Sequence, residues 1–284
     1  MLESRHIDEF RYYYYDPSKA AAAVFVTLFA ISTLLHLFQL TRARTWYFIP
    51  FVIGGIFETI GYGGRIGSAL QTPNWTLSPY IVQTLLLLVA PALFAASVYM
   101  ILGRIVRLVD GARNSIIPIR WLTKIFVTVD VISFLMQGAG GGLLSAAKDS
   151  SGLQTGENVI IGGLAVQLIG FSVFVIVASI FHVRTVRHPT AASSTVAVPW
   201  QRFMFVLYAV SALILVRSLF RAIEYGQGFG GSLQHSEGWL YGFDATLMFI
   251  AMLLLNVWHP SKIISTSSRK SLEAGTEGGY QLQQ

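Results

Sequence analysis

The sequence contains no cysteine and few charged residues. With no thiol among its 284 residues, it excludes disulfides, thiolate nucleophiles and cysteine-ligated metal sites. Charged side chains make up 12% and hydrophobic ones 54% of the chain, whereas about 25% of a typical soluble domain is charged. Apolar runs of roughly 20 residues, the length of a helix that crosses a bilayer, recur along the chain. The composition therefore indicates a polytopic membrane protein.

Several common catalytic motifs are also missing. The chain has no G-x-x-x-x-G-K phosphate loop, which excludes ATP hydrolysis by that route. Its last apolar run has no lysine that could form a retinal Schiff base. The six histidines are scattered over both predicted sides of the membrane, which argues against a three-histidine metal site. We therefore expect no enzyme activity, no cofactor, no bound metal and no catalytic residues.

Seven apolar stretches are long enough to be transmembrane helices. Each tryptophan lies at or just outside an end of one stretch, where an indole ring meets the membrane interface. The sequence thus predicts an all-α membrane protein, a seven-transmembrane-helix bundle over residues 18–260, with an extracytoplasmic tail (1–17) and a disordered, serine- and glycine-rich cytoplasmic tail (261–284). The predicted spans are 18–40, 47–69, 80–103, 121–144, 159–182, 201–223 and 239–259.

Lysine and arginine set the predicted orientation. Thirteen of the 20 lie in or beside the loops after the first, third and fifth spans or in the C-terminal tail, and four lie on the other side. Because short cytoplasmic loops are enriched in these residues, we expect the N-terminus outside and the C-terminus in the cytoplasm. The net charge of +6 thus reflects topology rather than nucleic-acid binding. A glycosylation sequon at Asn74 falls in an outward loop, close to the membrane.

Seven ionisable side chains fall within the spans or at their edges. A charge at the bilayer centre costs about 2.5–3.5 kcal/mol, so these side chains must face protein or water. Their signs nearly cancel, which suggests mutual pairing. The seven are Glu58, Arg65, Asp130, Arg217, Arg221, Glu224 and Asp244.

The polar side chains are concentrated in the outer half of the predicted bundle. Glu58 and Asp130 lie near mid-depth, and the other five charged residues lie nearer the outside. Gln83, Gln137 and Gln167 add to the same half, whereas the inner halves of the spans are almost wholly apolar. This distribution predicts a polar pocket that opens outward and is closed toward the cytoplasm.

Two interpretations of these charges remain open. They form either interhelical pairs that fix packing, or a substrate or ion pathway, the usual role of intramembrane ionisable groups. Glu58, Tyr62 and Arg65 share one face of the second span because of their i, i+4 and i+7 spacing. On either interpretation, we expect Arg217 or Arg221 to pair with an acid on the second or seventh span.

An ordered set of short motifs runs from about residue 16 to residue 260. The motifs are Glu58-x-x-Gly61-Tyr62-x-x-Arg65; Ala90-Pro91, Tyr99 and Gly103-Arg104; Asp130, Gln137-Gly138 and Gln167; Arg217-x-x-Phe220-Arg221-x-x-Glu224 with Gly226; and Glu237, Tyr241, Asp244 and His259-Pro260. In this order they resemble the fungal lipid-translocating exporter family, which includes a sphingoid long-chain base exporter, an aminosterol-resistance protein and a porphyrin transporter.

The resemblance implies a fungal multi-pass protein, often at the plasma membrane, that moves or senses amphiphiles. Our leading hypothesis is a transporter or floppase that exports an amphiphilic lipid or toxic compound, similar to a sphingoid long-chain base, toward the outer leaflet and so contributes to resistance. The alternative is a seven-helix, receptor-like sensor of a lipid or stress signal, without transport. In both, the partners are membrane lipids or amphiphilic small molecules and not nucleic acid.

In the transport hypothesis, acidic side chains in the outer pocket receive an ammonium head group, and the apolar inner halves accommodate the tail. The acids would be Glu58, Asp130 and Asp244, while the arginines hold them in place or bind an anionic head group instead. The predicted pocket or pathway residues are Glu58, Tyr62, Arg65, Gln83, Asp130, Gln137, Gln167, Arg217, Arg221, Glu224, Glu237, Tyr241 and Asp244.

Overall fold

The computed structural model describes residues 13, 15–146, 149–196, 198–227 and 231–261. Regular structure within these ranges is entirely helical. The predicted tail 261–284 lies outside the described residues except for residue 261, as does most of 1–17. The helices are α1 (Lys19–Ala43), α2 (Ile49–Leu70), α3 (Leu77–Leu108), α4 (Ile119–Ala146), α5 (Ser150–Arg187), α6 (Ala191–Thr195), α7 (Trp200–Gly226), α8 (Glu237–Leu240) and α9 (Thr246–Val257), with a π-helical turn (Tyr241–Ala245) between α8 and α9.

Five helical segments of the described chain are long and apolar enough to cross a membrane. They are α1, α3, α5, α7 and the continuous segment Glu237–Val257, with mean hydropathy between 1.7 and 2.5. Helix α2 packs between α1 and α3, and α4 packs between α3 and α5. Large apolar side chains such as Leu34, Leu135 and Ile169 are more than 60% exposed. The chain is therefore an all-α bundle with an apolar outer surface, as expected of a protein embedded in lipid.

Glycine allows α4 and α5 to approach each other closely. A Cβ atom at Gly140 would lie 2.7 Å from the carbonyl oxygen of Gly156, and one at Gly156 would lie 2.9 Å from the carbonyl oxygen of Gly140. Small residues permit such backbone contact between membrane helices. The close approach brings the side chain of Gln137 on α4 to Gln167 on α5, with Nε2 donating to Oε1 at 3.2 Å.

The basic loops meet at one end of the bundle. Asn114, between α3 and α4, donates from Nδ2 to Thr185 Oγ1 near the end of α5 at 3.2 Å. Tyr47, between α1 and α2, donates to the carbonyl oxygen of Pro260 at 3.3 Å, and the guanidinium carbon of Arg104 lies 3.5 Å from the centre of the Tyr47 ring. The connections after α1, α3 and α5 and the end of α9 thus share this "basic end", and the remaining connections lie at the opposite end.

Candidate functional site

A cavity of about 370 Å³ lies at the end of the bundle opposite the basic end. Small-molecule sites are typically about 300–1,000 Å³ in volume. One wall is apolar and includes Leu85 and Leu88 of α3, Leu144 of α4 and Ile160 of α5. The polar lining includes six residues of the predicted pocket: Arg65, Gln83, Gln137, Arg221, Glu224 and Asp244.

Arg65 is the centre of a first polar cluster. Its side chain is fully buried on α2, and Nη2 donates to Glu237 Oε1 at 2.7 Å and to the Tyr15 hydroxyl at 2.8 Å. Nε donates to the hydroxyl of Tyr241 at 3.1 Å. The rings of Tyr13, Tyr15 and Tyr241 have their centres 5.3–5.8 Å from the guanidinium carbon, within range of cation–π attraction. These contacts compensate the cost of burying the cation.

Two of these partners, Tyr13 and Tyr15, are absent from the predicted pocket. Tyr13 donates to Gln83 Oε1 at 3.0 Å, and its ring centre lies 5.5 Å from that of Trp75. The Ser18 amide donates to both carboxylate oxygens of Glu237 at 3.0 Å. Residues 13 and 15–18 form a segment, the "N-terminal strap", whose Tyr13 and Tyr15 line the cavity. The sequence feature that could have indicated these two residues is the run of four tyrosines at 12–15. Hydropathy assigns this run to a tail outside the membrane.

Burial keeps the strap tyrosines protonated. It raises the pKa of Tyr13 and of Tyr15, and for Tyr15 the positive charge of Arg65 opposes the rise without cancelling it. Since the ordinary pKa of tyrosine is about 10, both phenols remain neutral at physiological pH. Neutral phenols can donate and accept hydrogen bonds, so Tyr15 accepts from Arg65 and Tyr13 donates to Gln83 without adding charge.

Arg217 on α7 is the centre of a second cluster. Its Nε donates to Asp244 Oδ1, which confirms the expected pairing with an acid on the seventh predicted span. Nη2 donates to the carbonyl oxygen of Leu87 at 2.5 Å. In a regular helix the residue four positions later would satisfy that carbonyl, but here it is Pro91, which has no N–H. Arg217 therefore supplies the donor that Pro91 removes from α3.

The π turn joins the two clusters. Within Tyr241–Ala245 the hydrogen bonds reach one residue further than in an α-helix, and both the amide and the hydroxyl of Thr246 donate to the Tyr241 carbonyl oxygen. The wider turn allows Tyr241 to contact Arg65 while Asp244 contacts Arg217. Turns of this kind are rare and occur frequently at functional sites.

Arg221 and Glu224 place opposite charges on the cavity wall. They pair within α7, with Nη1 of Arg221 2.8 Å from Glu224 Oε2. The Arg221 guanidinium carbon also lies 5.3 Å from the centre of the Tyr225 ring. Because Arg221, Glu224 and Tyr225 all line the cavity, a bound molecule would meet a cation, an anion and an aromatic ring there.

The other predicted residues lie outside the cavity lining. Asp130 accepts a hydrogen bond from the Tyr99 hydroxyl at 2.9 Å, in an aromatic layer between α3, α4 and α5. Gln167 reaches the cavity only through Gln137. Asp130, which the transport hypothesis places at the head group with Glu58 and Asp244, is thus bound to Tyr99 and lies outside the cavity lining, so its part in binding a head group stays a prediction. Three further predicted residues are buried but do not line the cavity: Glu58, Tyr62 and Arg217. Two others, Glu237 and Tyr241, are partly exposed and also do not line it.

Comparisons with known proteins match nearly the whole chain. The family described as "RTA1 like protein" matches residues 51–267. Protein RTA1 of Saccharomyces cerevisiae is 34% identical over 292 residues, covering 94% of this chain and 90% of that protein. Protoporphyrin uptake protein 1 of the same yeast is 37% identical over 280 residues, covering 86% and 90%. The yeast sphingoid long-chain base transporter RSB1 is 25% identical over 268 residues, covering 83% and 69%. No solved structure matches the chain.

Proposed function

Because the chain belongs to the RTA1-like protein family and has relatives named as lipid transporters, we propose that it moves an amphiphilic lipid or toxic compound toward the outer leaflet. The substrate class is similar to a sphingoid long-chain base, and removal of such compounds contributes to resistance. On this proposal the protein crosses the plasma membrane seven times, with the N-terminus outside and the C-terminus in the cytoplasm.

The make-up of the cavity carries the proposal. Charged and hydrogen-bonding groups line one part, and an apolar wall formed by α3, α4 and α5 lines another. An amphiphile has the same two parts, since its head group needs hydrogen-bond and charge partners and its chain gains free energy from apolar surroundings. The head group would therefore bind near Arg221, Glu224 and Asp244, with the chain along Leu85, Leu88 and other apolar side chains.

The position of the basic end supports the proposed direction of transport, from the cytoplasmic side to the outer leaflet. Because short cytoplasmic loops are enriched in lysine and arginine, we expect that end inside, and the cavity at the opposite end would then face the outer leaflet. A head group bound there can leave to the outside, whereas the apolar core around Phe51, Phe94 and Tyr99 closes the path toward the cytoplasm. On this proposal the structure corresponds to an outward-facing state.

Purified protein in liposomes tests transport directly. We expect a fluorescent long-chain base to change leaflets faster than in protein-free liposomes. Gly138→Phe should abolish this acceleration, because Gly138 lines the cavity and a Cβ atom added there meets no atom within 4 Å, so the new ring has room to extend into the cavity. Gly63→Phe is the matched control, since it also meets open space but lies outside the cavity lining.

The liposome experiment also separates the two hypotheses from the sequence. Binding of the fluorescent base without transfer between leaflets, by protein that remains folded, would contradict transport and favour the sensor. Equal transfer by Gly138→Phe and the unmodified protein would show that the cavity is not the route.

A further inference from the structure

The buried polar region has one acid more than it has arginines. Each of the three arginines in the two clusters and on the cavity wall forms an ion pair with its own carboxylate. Glu58 is a fourth acid within the same described region and belongs to none of these pairs. The three pairs are Arg65–Glu237, Arg217–Asp244 and Arg221–Glu224.

Glu58 is almost completely buried near the middle of α2. It is 1% exposed, and its Oε1 atom has no hydrogen-bond partner among the described residues. The charged groups that act on it are Asp244 of the π turn and Arg217 and Arg221 of α7, and Tyr62 is the titratable neighbour one turn along α2. A buried carboxylate without its own partner is costly, whereas the protonated acid carries no charge.

Asp244 is a second buried carboxyl group that acts electrostatically on Glu58 and that also contributes to the cavity wall. Asp244 lines the cavity, and while its Oδ1 accepts from Arg217, its Oδ2 has no partner among the described residues. Two neighbouring buried carboxyl groups do not both hold a negative charge readily. Asp244 has its own cation in Arg217 whereas Glu58 has none, so Glu58 is the carboxyl group that a proton would neutralise, and Asp244 is its neighbour in the cavity lining.

We propose that Glu58 is a proton-binding site through which the export of a cationic lipid is coupled to proton entry. The three ion pairs are neutral together, so the region stays neutral with either a proton on Glu58 or a monovalent cation in the cavity beside Asp244. Proton and cationic head group can therefore replace each other. The coupling rests on the transport function proposed above, whereas the proton site itself does not.

The exchange balances in two steps. When the head group leaves through the outward cavity, a hydronium ion from outer water gives its proton to a Glu58 oxygen, an O–H bond forms and a water molecule remains. When the next cation arrives from the cytoplasmic side, that O–H bond breaks, its electron pair stays on the carboxylate and the proton passes to cytoplasmic water. One monovalent cation thus leaves for each proton that enters, without net charge movement.

Infrared spectroscopy of the purified protein tests the proton site without any transport. We expect an absorption band of protonated carboxylic acid at neutral pH that is weaker by one group in Glu58→Gln, while any contribution of Asp130, which is also buried, is the same in both proteins. The substitution has the shape of the neutral acid, so the fold should be retained. Glu157→Gln, a partly exposed glutamate on α5, is the matched control and should retain the band. If Glu58→Gln and the unmodified protein show the same carboxylic-acid absorption, or if the band is absent from both, the proton site is refuted.

Proteoliposomes with a pH gradient test the coupling. The probe is a fluorescent lipid with a permanent quaternary ammonium head group, which cannot cross as a neutral amine. For one-to-one exchange, the ratio of probe between leaflets should shift about tenfold for each pH unit, since each unit is about 1.4 kcal/mol per proton. Glu58→Gln should show no shift, and Glu157→Gln should show the full shift.

The outcomes distinguish the two proposals. Transfer of the probe that ignores the pH gradient in the unmodified protein would overturn the coupling and leave the proposed transport intact. A full gradient response in Glu58→Gln would also overturn it. If neither this probe nor a long-chain base is transferred, the proposed function and the coupling both fail, and the infrared band still decides whether Glu58 binds a proton.

Discussion

At the scale of single residues, burial of an arginine depends on how many of its donors find acceptors. Arg217 has an acid, Asp244, and also the Leu87 carbonyl that Pro91 leaves without a donor. The sequence predicts an acidic partner for Arg217, because a lone charge within a span is costly. It does not predict Leu87, because that contact depends on how α3 and α7 are positioned relative to each other.

Removal of one member of the Arg217–Asp244 pair should destabilise the protein more than removal of both. We expect Arg217→Met to lower the free energy of unfolding by about 3–5 kcal/mol, because it leaves Asp244 charged and buried without a partner. The double variant Arg217→Met with Asp244→Leu should recover most of that loss, since apolar replacement of a complete buried pair is often neutral. Thermal unfolding in detergent measures both.

One outcome of this double-mutant cycle would contradict the prediction. If the two substitutions lower stability additively, the pair contributes nothing beyond its separate residues, and the neutral charge balance of the buried region no longer follows. An intermediate recovery would measure the share that the Leu87 carbonyl contributes, because that acceptor remains unpaired in both variants.

At the scale of secondary-structure elements, the N-terminal strap is held mainly by charge-assisted hydrogen bonds to Glu237. Glu237 accepts from Arg65 and from the Ser18 amide, and so ties the strap to α2 and α8 at once. Such bonds contribute about 1.5–3 kcal/mol each, against about 1 kcal/mol for neutral ones. The strap should therefore open locally before the helices do.

Hydrogen exchange at the Ser18 amide measures this opening. Glu237→Gln should accelerate exchange by about 10–100-fold, because each 1.4 kcal/mol lost corresponds to a factor of ten in the open population. Tyr13→Phe, which removes only a neutral hydrogen bond of the strap, to Ser68 or Gln83, should accelerate it by less than about tenfold, and Glu157→Gln should leave it unchanged. Identical exchange in Glu237→Gln and the unmodified protein would show that the strap is held by other contacts.

Close packing of α4 and α5 makes a second prediction at this scale. We expect Gly140→Ala to lower stability by about 1–3 kcal/mol, because the new Cβ would lie 2.7 Å from the Gly156 carbonyl oxygen and 2.9 Å from the Ile160 amide nitrogen, and backbone atoms cannot rotate away. Gly138→Ala, on the same helix with no atom within 4 Å, is the control and should be neutral or slightly stabilising. Unfolding midpoints of the two variants give the comparison; equal midpoints would contradict the close contact.

The helices could be predicted from the sequence more completely than their ends and irregular turns. Apolar runs mark helices wherever lipid requires them, but α5 begins at Ser150, nine residues before the predicted span at 159. There the Asp149 side chain caps the helix by accepting from the Gly152 amide at 2.8 Å, and hydropathy does not detect polar helical turns. The π turn could not be predicted from the sequence for a related reason, because a single wider turn leaves the hydropathy of the segment unchanged.

The candidate site shows the same division between what could and could not be predicted. Charged residues in the spans were identifiable because lipid excludes unpaired charge, and six of the thirteen line the cavity. The strap tyrosines were not identifiable, because a polar tail that folds back has no periodic pattern. Asp130 was assigned to the pocket because its depth is suitable, but depth does not specify the helix face, and Tyr99 holds it away from the cavity.

At the scale of the whole molecule, the two ends of the bundle have different character. The basic loops, joined by contacts such as Asn114 to Thr185, lie at one end, and the cavity and strap lie at the other. Because α3 runs from the cavity end to the basic end, positions just before and just after it report on the two sides of the membrane. The direction of lipid movement proposed above depends on which end faces the cytoplasm.

Single cysteines can determine this orientation, since the chain has none of its own. We expect Asn74→Cys, in the exposed connection before α3, to react with a membrane-impermeant maleimide on intact cells. Ala112→Cys, exposed after α3, should react only after permeabilisation, because cytoplasmic loops carry the excess of lysine and arginine. The unmodified protein, without a thiol, measures background, and Asn74→Cys also removes the glycosylation sequon that would otherwise block access.

The reverse labelling pattern would place the cavity toward the cytoplasm, and release of lipid to the outer leaflet through it would then be excluded. Labelling of both positions from outside would mean that α3 does not cross the membrane. That result would conflict with the length of α3, since its 32 residues extend about 48 Å at 1.5 Å per residue, against a hydrocarbon core of about 30 Å. Labelling of Asn74→Cys alone on intact cells is therefore the result expected from the distribution of basic residues and from the proposed release of lipid through the cavity to the outer leaflet.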